Sequence, residues 1–161
     1  MRCVQQISLL KWWERLRGKR DLPRFEALMP EDISRSIDKL SFSEVVQTEN
    51  GYRFRIIENG VQLDRMYPEK RDGKFIDEVL PQAFREQALL LHEQVVVRRQ
   101  PSFSFSLLRK DDGPLIRYER LLLPFTCNDL GVERIVGVIT LFTEGNGFDA
   151  RDVLTGKLVE Q

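Results

Sequence analysis

The chain has 161 residues, 42 % of them hydrophobic, and its 25 basic side chains balance 25 acidic ones. A chain of this length is most economically one domain that buries roughly 70 % of its unfolded surface, and its apolar content argues against disorder. Zero net charge removes the simplest argument for a nucleic-acid partner, and no run approaches the roughly 20 apolar residues that span a bilayer.

Val4 to Arg17 reads as a first helix, with Leu9, Trp12, Trp13 and Leu16 forming its apolar stripe and Gly18 its stop. Two tryptophans on a terminal helix must be covered, either by the protein's own sheet or by a second copy of the chain. The stretch Lys11 to Arg24 is locally basic, which suits a solvated helix end. Pro30-Glu31-Asp32-Ile33 opens a second helix, with proline and acidic residues where the first turn favours them, and Ile33, Ile37 and Leu40 continue it. From Leu40 a strand begins. Glu49-Asn50-Gly51 signals a tight hairpin in which asparagine and glycine both tolerate positive φ. Tyr52, Phe54 and Ile56 then alternate with Arg53 and Arg55, giving a strand with one apolar and one cationic face.

Asn59-Gly60 ends that strand, Val61 to Tyr67 forms a short helix or irregular crossover, and Phe75 to Leu80 a helical turn. Pro81 to Val97 carries Phe84, Ala88, Leu91 and Val95 along one face of a long helix. At Arg98-Arg99-Gln100-Pro101 the period changes from helical to alternating: Phe103, Phe105 and Leu107 precede a turn at Lys110-Asp111-Asp112-Gly113-Pro114. Two more strands follow, Leu115 to Pro124 and Arg134 to Thr143, while residues 148–161 carry no strong pattern. The class is α+β, with antiparallel strands split by a helical insert and a small cavity between the helices and the sheet.

These segments resemble the PAS domain, in particular the stand-alone PAS-like proteins common in alphaproteobacteria. The resemblance lies in Trp12-Trp13-Glu14-Arg15-Leu16-Arg17-Gly18, Leu22-Pro23-Arg24, Pro30-Glu31-Asp32-Ile33 and Tyr52-Arg53-Phe54-Arg55-Ile56. It continues through Gly73-Lys74-Phe75-Ile76-Asp77-Glu78-Val79-Leu80-Pro81, Arg98-Arg99-Gln100-Pro101 and Tyr118-Glu119-Arg120-Leu121-Leu122-Leu123-Pro124, so that it covers about residues 8–143. It implies a five-stranded antiparallel sheet in the order 2-1-5-4-3, helices over one face, and the N-terminal helix packed elsewhere. It also implies a sensory or interaction module. One departure is Ile57-Glu58-Asn59-Gly60, where relatives often carry a Gly- or Thr-rich segment, so the cavity mouth is expected to differ. On this reading residues 1–20 form an amphipathic helix, 21–145 the PAS-like domain and 146–161 a tail.

Catalytic motifs are lacking. His92 is the single histidine, so one acid/base dyad containing histidine is the most the chain can form, and no serine lies in a Gly-x-Ser-x-Gly context. Some haem-binding PAS proteins resemble this arrangement, with a histidine of the long helix as axial ligand; a half-buried, hydrogen-bonded histidine is the plainer reading. Cys3 and Cys127 are far apart, lack metal-ligand spacing and read as reduced thiols, and neither sits in the reactive context of light-sensing flavoproteins. Asp111-Asp112-Gly113 is a hairpin turn rather than a metal loop, Asp64, Asp72 and Asp77 do not converge, and Gly145-Asn146-Gly147 has no βαβ unit around it.

The cavity remains. Phe54, Ile56, Phe103, Phe105 and Tyr118 are expected to point inward from the strands, facing Val61, Leu63, Met66, Phe84, Leu91 and His92 from the helices. Such walls suit a small apolar or amphipathic ligand, or fill the core outright. The expectation is therefore a cytoplasmic, non-catalytic regulatory module without cofactor or metal. No kinase, cyclase or DNA-binding segment accompanies it in these residues, so its output is expected to pass to a separate signalling protein or to a homodimer built on Leu9, Trp12, Trp13 and Leu16. The alternatives are a haem sensor and a cone-shaped isomerase or dehydratase using His92 with a carboxylate.

Overall fold

The structure, a computed structural model, describes residues 3–143 and 151–159, so Gly145-Asn146-Gly147 and the boundary at 145/146 lie outside the described residues. Helix α1 (Val4–Arg17) ends at Gly18, whose φ of 57° frees its N–H to reach Glu14 O at 3.1 Å. Its buried stripe is Gln6, Leu9, Trp12 and Trp13. The second helix is shorter than its pattern predicts. α2 (Pro30–Ile33) is a single turn, followed by a 3₁₀ turn at Ile37–Lys39. So short a helix gains little by itself, and Ser34 Oγ donates back to Glu31 O at 3.0 Å.

Strands β1 (Leu40–Thr48) and β2 (Gly51–Asn59) form the expected hairpin. Gly51, at φ 123°, supplies the positive backbone angle, and Asn50 does not share it. The pairing shifts between Phe42 and Ser43: Ser43 faces Ile56, Phe42 faces Glu58, and Ile57 is left over as a bulge. Gly60 follows. A Cβ there would run into the backbone of Ile37 and Asp38, so only glycine allows this close approach.

The insert comprises α3 (Val61–Asp64), α4 (Ile76–Val79) and the long α5 (Gln82–Arg98). Between α3 and α4 the chain lies along the free edge of β2, where Gly73 N donates to Ile56 O at 2.7 Å and Ile56 N to Lys74 O at 2.9 Å. α5 closes on Arg99, a non-glycine residue in the left-handed region whose N–H bonds Val95 O at 2.9 Å. Strands β3 (Ser102–Arg109), β4 (Ile116–Phe125) and β5 (Arg134–Thr143) follow. The patternless C-terminus holds a short α6 (Asp152–Thr155) and a two-residue strand, β6 (Lys157–Leu158), on the edge of β3.

All pairings between these strands are antiparallel, in the order β2-β1-β5-β4-β3-β6. The first five give the order the resemblance implied, and β6 adds a sixth. The inner face carries α3, α4 and α5, while the outer face carries α1.

On the outer face Trp13 Nε1 donates to Pro124 O at 2.7 Å, and Gln6 Nε2 reaches Glu119 O and Val138 O at 3.3 and 3.4 Å. Trp12 packs against Phe125 with ring centroids 6.0 Å apart. Leu9, Trp12 and Trp13 are thereby buried within one chain and Leu16 is half-buried. Of the two covers open to the tryptophans, the structure takes the sheet. Leu9, Trp12 and Trp13 are thus covered without a second copy of the chain, and burying one indole is worth about 4 kcal/mol that the sheet already collects, while Leu16 stays partly exposed. Among the described residues no helix is long and apolar enough to cross a membrane.

Candidate functional site

The inner face of the sheet and the inserted helices line a partly open cavity of about 50 Å³. Ile56 and Asn59 reach it from β2, Tyr118, Arg120 and Leu122 from β4, Leu63 from α3, Ala88 and His92 from α5, and Tyr67 and Arg71 from the loop after α3. Space survives because the facing β1 and β5 positions, Ser41, Ser43 and Gly137, are small. Strand phase decides who faces in. The bulge at Ile57 turns Asn59 inward, opposite Ser41, and leaves Glu58 exposed; an unbroken alternation from Ile56 would do the reverse.

Of the ten residues expected to hold a ligand, four line the cavity: Ile56, Leu63, His92 and Tyr118. Phe54 is buried beside it, its ring 5.0 Å from the His92 imidazole, and Phe84 stacks on Tyr118 at 6.4 Å. Met66 is buried and Leu91 half-buried, both in the packed core rather than in the lining. Phe103 and Phe105 are corrections. They pair with Leu121 and Glu119, which face α1, so both phenylalanines lie on the outer face, and Phe105 is 37 % exposed under the Arg117 guanidinium. Ser104 and Ser106, opposite Arg120 and Tyr118, take the inner positions. Apolar alternation names two faces, and because helices cover both sides here, it does not say which is inside. Val61, also expected inward, is 52 % exposed.

The electrostatics are the unforeseen part. Arg71 and Arg120 are both buried at the cavity. The Arg71 guanidinium carbon lies 3.1 Å from the centre of the Tyr67 ring, and its Nε has no partner. Burial holds Arg71 below its ordinary pKa, opposed by Tyr67 and by the more distant charge of Asp64, and burial likewise raises Tyr67. Arg120 Nη2 donates to Tyr118 Oη at 3.1 Å. Among the described residues neither arginine has a carboxylate within 4.0 Å, and the lining contains no Asp or Glu. Asn59 is buried with both Nδ2 and Oδ1 unpaired. His92 is neutral at pH 7. Burial first, and Arg120 second, lower its pKa to about 4, against the pull of the Ala88 carbonyl. Ala88 O lies 2.7 Å from Nδ1, so Nδ1 carries the proton and Nε2 is an acceptor.

This arrangement can bind, with cations, an amide and a neutral imidazole set against apolar wall. It lacks the histidine–carboxylate pair that the isomerase or dehydratase alternative needs. A haem on His92 does not fit either, since the cavity is far smaller than the roughly 300–1,000 Å³ usual for cofactor sites. Among the described residues no three His, Cys, Asp or Glu side chains come together as a metal site. Asn59, Arg71 and Arg120 escaped the sequence reading for separate reasons. The bulge reverses the strand phase, Arg71 sits in a loop without a period, and Arg120 looks like one more charge in an alternating strand. A model of the PAS domain family matches residues 1–140 of the chain. Among curated proteins none matches it significantly.

Proposed function

The chain belongs to the PAS domain family, whose members are sensory and regulatory modules, and from that premise we propose a non-catalytic, cytoplasmic sensor set by a small molecule in the inner cavity. The observation that supports this reading is the cavity itself: polar groups gathered at one interior point beside apolar wall, with no acid/base pair to use them for chemistry. Occupancy repacks α5 against the sheet, and the altered surface is read by a separate signalling protein. A homodimer is the second partner reading. It uses the outward side of α1, where Val4 and Ile7 are exposed, rather than the buried indoles.

Native mass spectrometry of the purified chain tests the sensor reading. A bound small molecule, or one acquired from a metabolite mixture, is the expected result. A chain that stays at its bare mass under both conditions counts against it.

A further inference from the structure

We propose that the molecule taken up by this cavity is a short-chain organic acid, recognised as its carboxylate by Arg71 and Arg120; this rests on the reading of the cavity as a ligand site. Both guanidiniums are withdrawn from water, yet among the described residues neither has a carboxylate within 4.0 Å; Asp64, its Oδ1 buried and without a partner, acts on Arg71 only from beyond that distance. A buried charge without a directly paired counter-charge is costly, and exchanging it for an apolar side chain is often stabilising. Two such cations at one cavity of a folded domain are accounted for when the counter-charge arrives with a ligand. Arginine's planar fork suits a carboxylate, which can accept two parallel N–H bonds.

Asn59 is an independent sign. It is buried and faces the same space, and both atoms of its amide lack a partner. Buried polar atoms are almost always bonded to something, so a donor and an acceptor held ready together mark a place where a polar molecule completes the bonding. Asn59 Nδ2 can donate to a carboxylate oxygen, and the acceptor Asn59 Oδ1 suits a hydroxyl carried by the same small acid. Ile56, Leu63 and Leu122 supply the apolar contact for its carbon chain. Size sets the limit. A partly open space of about 50 Å³ admits a few heavy atoms, so the acid is of the size of acetate or propionate unless its body extends out through the opening.

The test titrates the full chain by calorimetry and thermal unfolding with propionate, propionamide and inorganic phosphate. Propionate is expected to bind at least about tenfold more tightly than propionamide, the ratio a charge-assisted hydrogen bond supplies. Arg71→Met and Arg120→Met are expected to abolish that ratio while the ligand-free melting temperature holds or rises, which a merely structural arginine would not do. Should either variant fail to fold, the acid-to-amide ratio of the unmodified chain decides alone. Equal binding of propionate and propionamide overturns the anion and keeps the cavity as a ligand site. Phosphate binding as tightly as propionate overturns the organic acid. Binding of neither propionate nor propionamide overturns the proposal, and a bare mass in native spectra as well removes the sensor reading with it.

Discussion

On the outer face of the sheet, buried polar groups meet partners. The Trp13 indole bonds Pro124 O, Gln6 Nε2 reaches two strand carbonyls, and the buried Glu119 carboxylate takes Arg117 Nε at 2.7 Å. The loose ends on that side, Gln6 Oε1 and Arg17 Nε, belong to side chains otherwise engaged, since Arg17 lies over the Trp13 ring at 5.4 Å. On the inner face lie Arg71 and Arg120, buried with no carboxylate within 4.0 Å among the described residues, and Asn59 with neither end of its amide satisfied, around open space. One sheet thus has a face finished by its own chain and a face left incomplete. The first holds the fold, and the second is where a foreign molecule changes the energy most, because unpaired groups gain more from a partner than paired ones do.

The contrast breaks first at Trp13. Trp13→Ala, by removing a side chain 1 % exposed together with its hydrogen bond, is expected to cost about 4 kcal/mol in chemical denaturation, and a loss below ~1 kcal/mol would deny the outer face its role. His92 comes next. Its folded pKa of about 4 is depressed below the unfolded 6.5, so its contribution is fully present above pH 6.5 and is lost as pH falls toward 4. The loss is about 3 kcal/mol across that window, and His92→Gln should flatten the stability-against-pH curve there. Asn59→Leu sharpens the comparison from the other side. Removing two partnerless polar atoms should raise ligand-free stability by about 1 kcal/mol, opposite in sign to the outer-face change. Arg55→Ala, which deletes an exposed ion pair with Glu44, should shift stability by less than ~0.5 kcal/mol.

Period and punctuation made most of the scaffold legible. The Leu40–Thr48 and Gly51–Asn59 hairpin, the long helix from Gln82, and the three late strands all stood in the residue pattern, and the strand order came with the resemblance. What escaped was phase. A sheet covered on both sides offers two apolar faces, and Phe103 and Phe105 belong to the one under α1 rather than the one with the cavity. The site was half legible. Ile56, Leu63, His92 and Tyr118 follow from patterning, whereas Arg71 depends on a loop path set by tertiary contacts and Asn59 on a single bulged residue. β6 pairs through only two residues, too few for any alternation to register.

The bulge at Ile57 has a chemical consequence for the cavity. Had the β1–β2 ladder run regularly from Ser43 and Ile56, the next residue of β2 aimed at the two guanidiniums would have been Glu58, an acid supplied by the chain itself. The extra residue instead presents a neutral amide and turns the carboxylate out to water. A kink of one residue thereby decides whether β2 offers the cavity an acid or an amide.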